Sequence, residues 1–109
     1  MCEFQSLYFG DDGYVVRCEK CNHYQVAFGS TMLNLPPHDF ETLLKIMQHK
    51  CRAEVDTMAA HSKSVIVPTP SPGVSLLFTK SEAMRFYEIL EEADNEVKAQ
   101  SLISLFNNP

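Results

Sequence analysis

Apolar and polar positions change rhythm three times along this chain, and the changes predict where strands give way to helices. Glu3–Phe9 and Tyr14–Arg17 are rich in aromatic and aliphatic residues, with the turn residues Gly10-Asp11-Asp12-Gly13 between them. That pattern predicts a β-hairpin. His23–Phe28 alternates, with Tyr24, Val26 and Phe28 on one face, and Gly29-Ser30 turns the chain into a further short strand, Thr31–Leu35. If Phe9 faces Tyr14 across the first loop, Cys18 falls opposite Gln5 and Cys21 comes level with Cys2.

The rhythm then lengthens. Pro36-Pro37 ends the fourth strand and opens a helix, with Pro37 at the first helical position and Asp39 near the positive end of the dipole. Phe40, Leu44, Met47, Cys51, Val55 and Met58 recur at helical spacing, and the helix is expected to stop near His61-Ser62. Val65–Val67 and Val74–Phe78 return to strand composition around a linker holding Pro68, Pro70 and Pro72. Proline cannot donate to a ladder, so the linker reads as an exposed loop. Thr79-Lys80-Ser81-Glu82 has the capping-box pattern, and Ala83, Phe86, Leu90 and Ala93 follow on one helical stripe.

Near Asp94-Asn95 that stripe loses phase. Val97, Leu102, Ile103, Leu105 and Phe106 form either a bent continuation or a separate short helix, and are the expected surface for a protein partner or a homo-oligomer. Sliding the chain so that Leu33 falls on Leu76 also lays Leu35 on Phe78, Asp39 on Glu82 and Ile46 on Ile89. The expectation is an α+β fold: a small antiparallel sheet with two main helices packed on one face, compatible with a strand-strand-helix duplication.

Composition narrows the function classes. At 109 residues the chain fits one domain, 1–109, and 9 basic against 14 acidic residues leave a net charge of -5. Binding to phosphate backbones draws on Lys and Arg, so a nucleic-acid role is not expected. No apolar run reaches membrane-spanning length, and the first residues carry no basic flank or apolar core of a signal peptide. A cytoplasmic location follows as an expectation, in which the four cysteines are thiols or metal ligands.

Those cysteines carry the candidate chemistry. Cys18 and Cys21 are spaced to reach one ion from a single tight loop, and Asn22 after them tolerates the left-handed backbone such a loop needs. With Cys2 returned by the hairpin, the candidate metal ligands are Cys2, Cys18, Cys21 and His38, and sulfur donors favour zinc. His23 and Cys51 are alternatives for the fourth position, although Cys51 lies on the apolar stripe and reads first as a small buried hydrophobe. Two other functions use the same chain differently. A dithiol redox protein would act through Cys18 and Cys21, but a strand rather than a helix N-terminus follows the pair, so no dipole lowers a thiol pKa. A small-ligand binder would need a pocket and no metal. No phosphate loop, metalloprotease helix or nucleophile elbow is present, and a non-enzymatic module is the expectation.

From Val15 to Phe28 the Cys-x-x-Cys loop between strands resembles the knuckle of zinc-ribbon proteins, without their Gly after the second Cys and without a second knuckle. The wider layout is similar to a small bacterial family of uncharacterised proteins: an early Cys2, Gly13-Tyr14 leading to Cys18-x-x-Cys21, then Phe28-Gly29 and a Leu-rich helix. The first resemblance implies a structural zinc; the second implies no activity.

Overall fold

The computed structural model of the protein describes residues 3–53, 63 and 65–107. The elements run β1 (Phe4–Gly10), β2 (Gly13–Cys18), β3 (Tyr24–Phe28), β4 (Thr31–Leu35), α1 (Pro37–Ala53), β5 (Val65–Pro68), β6 (Ser75–Phe78) and α2 (Lys80–Asn107). The fold is α+β, with antiparallel sheets and two helices. The strands divide between two sheets, a four-stranded meander β1-β2-β3-β4 and a ribbon β5-β6. Local alternation fixes which residues form strands but not which strands pair at long range. Strand-strand-helix occurs twice in this order. In both cases a single residue, Pro36 or Thr79, separates the strand from its helix.

The chain divides into two compact units, Met1–Pro36 with Ile89–Pro109, and Pro37–Glu88. In the first, Phe9 faces Tyr14 as the hairpin pattern predicts, and Tyr8 donates from its hydroxyl to Asp12 Oδ1 at 3.2 Å across the turn. The register further along differs from expectation. A bulge between Ser6 and Tyr8 inserts Leu7, so Cys18 lies opposite Phe4, and Arg17 rather than Cys18 lies opposite Gln5. One inserted residue moves every later pair by one. Directly opposed residues share a face. Val15, Val26, Tyr24 and Leu35 are buried on one side; Phe9, Tyr14, Ala27 and Met32 form a row across the other. Gly29 (φ 59°) opens the two-residue β3–β4 loop in the left-handed region, where a glycine costs least.

The second unit holds α1, the ribbon and the start of α2. Val65, Val67, Leu76 and Phe78 are buried, while their neighbours Ile66 and Leu77 point out, the period of two of strands with one buried face. Phe78 and Phe86 meet with ring centroids 5.1 Å apart. On α1, Phe40, Leu43 and Met47 are buried; Leu43 takes the core position assigned to Leu44 from the sequence, and Leu44 is half-buried. The expected continuation through Val55 and Met58 to His61-Ser62 lies outside the described residues. At the start of α2 the capping box forms in full. Thr79 N donates to Glu82 Oε1 at 2.8 Å, and Glu82 N donates to Thr79 Oγ1 at 3.1 Å. Lys63 beside Glu82, together with that Thr79 N–H, holds the Glu82 carboxyl below the usual carboxylate range.

α2 is one helix from Lys80 to Asn107, about 42 Å at 1.5 Å per residue. Of the two expected forms for its end, the structure has the continuation, with the same hydrogen-bonded helix running through the loss of phase. Residues 80–107 hold no Gly or Pro, so nothing in the backbone chemistry interrupts the ladder.

Candidate functional site

The thiol pair sits at the β2–β3 turn. Cys18 N donates to the His23 carbonyl at 2.8 Å, closing the ladder, and Asn22 N donates to the Cys18 carbonyl at 2.9 Å. Asn22 takes φ 62°, the left-handed conformation expected of the residue after a tight Cys-x-x-Cys loop. Glu19 N donates to the Glu3 carbonyl at 2.9 Å, so the first described residue of the chain is tied to this turn. Cys18 is buried, Cys21 is exposed, and both are thiols. His23 is exposed, and its Nδ1 lies 3.2 Å from the Cys21 carbonyl, an acceptor, which requires that nitrogen to carry the proton.

Among the described residues no three His, Cys, Asp or Glu side chains gather as a metal group. Cys2 lies outside them. His38 is exposed at the first turn of α1, in the other unit, where its carbonyl accepts from Thr42 Oγ1 at 3.0 Å. Cys51 is half-buried in that same unit. Its Sγ donates to the Ala83 carbonyl at 3.7 Å, and burial pushes its thiol pKa up. A strand, β3, and not a helix follows the thiol pair in the chain. The second unit contains a recess of about 140 Å³ between α1 and the proline loop, lined by Asp39, Thr42, Leu43, Ile46 and Pro68–Pro70. That is below the roughly 300–1,000 Å³ usual for small-molecule pockets.

The other candidate is the end of α2. Ala83, Phe86, Ile89, Leu90 and Ala93 are buried on one stripe. Beyond Asp94 the exposure reverses: Leu102 is 57% exposed, Ile103 58%, Leu105 74% and Phe106 88%. A helix turns 100° per residue, which sets the stripe Ala99-Leu102-Ile103-Phe106 roughly 140° around from Phe86-Ile89-Leu90-Ala93. The side of the same turns that meets β2 carries mostly polar residues, in a recess lined by Arg17, Gln100, Ser101, Ser104 and Leu105. Arg17 Nε is buried there without a hydrogen-bond partner among the described residues. One helix therefore carries two apolar faces, the first closing its own core and the second turned to solvent. The sequence marks Val97–Phe106 as a surface; the rotation explains why the chain's own core does not take it up.

No helix among the described residues is long and apolar enough to cross a membrane. Fold and site together define a small α+β protein with an exposed apolar helix end. The chain belongs to a family of unknown function, DUF6686, whose model matches residues 1–107. No match was found among curated proteins or among solved structures.

Proposed function

We propose that this protein is a cytoplasmic, non-enzymatic interaction module whose contact element is the end of α2, Val97–Phe106. The observation that carries the reading is the run of large apolar side chains exposed on a regular helix, with a polar side turned towards the chain's own sheet. Exposed apolar groups of this size on a folded surface signal a contact. The spacing i, i+3, i+4, i+7 of Ala99, Leu102, Ile103 and Phe106 suits a helix read by another surface. The full chain and its Phe106→Glu variant, each used to isolate native complexes and then mixed with purified candidates, test this. A partner is expected to be retained by the first and lost by the second, with the fold of the variant unchanged. Equal retention by both chains contradicts the reading.

The β2–β3 turn favours a second reading, a structural zinc on Cys18 and Cys21 completed by Cys2, with His23 beside the same turn as a candidate fourth ligand. Its support is the left-handed Asn22 after the pair and the tie between Glu19 and Glu3. Elemental analysis of untagged protein is expected to find near-stoichiometric zinc that is lost in Cys21→Ser. Metal-free protein with an intact fold rules this reading out.

A further inference from the structure

We infer that the occupant of the α2 end is a second copy of this chain, paired antiparallel about a two-fold axis between Leu102 and Ile103; this rests on the interaction reading above. An isologous interface must be complementary to itself. Antiparallel pairing about that axis sets Leu102 against Ile103 of the second copy and the small Ala99 against its large Phe106, so small faces large at both ends. Parallel pairing would instead set Phe106 on Phe106 and leave Ala99 facing Ala99. Charge points the same way. Glu92 and Glu96 are exposed on the same side of the helix as the apolar stripe, one to two turns before it. In a parallel pair they would oppose their own copies, whereas in the antiparallel pair they do not face one another.

The area fits a reversible pair. The exposed parts of Leu102, Ile103 and Phe106 offer roughly 400 Å² per copy, or about 800 Å² for the dimer, the size of a weak contact.

Sedimentation of the full chain is followed from about 1 µM to about 300 µM, the range over which a weak pair forms. The mass is expected to rise from monomer to dimer. Ile103→Glu is expected to weaken association at least tenfold while the circular dichroism stays that of the wild type. Orientation is read against the wild-type chain as the cross-linking control: Ala99→Cys with Phe106→Cys should form an interchain disulfide under mild oxidation several-fold faster than either single change. Faster cross-linking by Phe106→Cys alone overturns the antiparallel register, and a dimer that survives Ile103→Glu overturns the surface. A wild-type chain that stays monomeric throughout overturns self-pairing. If a different protein is then still captured through Phe106, the interaction reading stands without self-pairing; if none is, both fall.

Discussion

Phe86→Ala is expected to lower the free energy of unfolding by about 3–5 kcal/mol, the range for truncating a buried aromatic. Phe86 is 1% exposed and stacks at a tilt of 47° on Phe78, which the ribbon β5-β6 presents from its inner face. Truncation removes the transfer term of the ring and leaves a cavity. The walls of that cavity are strand and helix, held by their own hydrogen bonds and slow to close. A two-stranded ribbon has little stability of its own and depends on the layer that covers it. The loss should appear as a lower urea midpoint, and a change under about 1 kcal/mol would mean that the ring is not part of the core.

Gly13→Ala is expected to be as damaging by the opposite route. A Cβ at residue 13 would overlap the Ala27 carbonyl oxygen and stand 3.1 Å from the Phe28 Cα, both main-chain atoms of β3. No side-chain rotation relieves such a contact, so β3 has to move, and with it the pairs Gly13–Phe28 and Tyr14–Ala27. Overpacking commonly costs about 1–3 kcal/mol where side chains can adjust, and a backbone clash belongs at or beyond the upper end. Urea unfolding measures it; a wild-type midpoint would show that the strands are not this close.

The strands of the meander were legible from alternation, and the two helix starts from their local chemistry: proline at the first position of α1 and the capping box of α2 are features of a few adjacent residues. The register of Cys18 was not legible. The bulge at Leu7 arises from how two strands fit, and no residue type around Ser6 announces it. Pairing of β5 with β6 alone, apart from the meander, is likewise a long-range outcome. At the candidate site, the thiol turn and its left-handed Asn22 were readable from residue types, while the burial of Cys18 against the exposure of Cys21 needed coordinates. The end of α2 holds the clearest lesson. A slipped apolar phase suggests a break, yet an uninterrupted run without Gly or Pro was the available signal that the helix continues and only its sticky side rotates.

Equilibrium urea unfolding of Phe106→Ala, at a concentration too low for association, asks whether that rotated side belongs to the core or to a contact. A surface aromatic removed from a helix should leave the unfolding free energy within about 0.5 kcal/mol of the wild type, in contrast to Phe86 on the same helix. A loss of about 3 kcal/mol or more, the size seen for buried rings, would place Phe106 inside the protein's own core and leave α2 with no outward apolar face to bind anything.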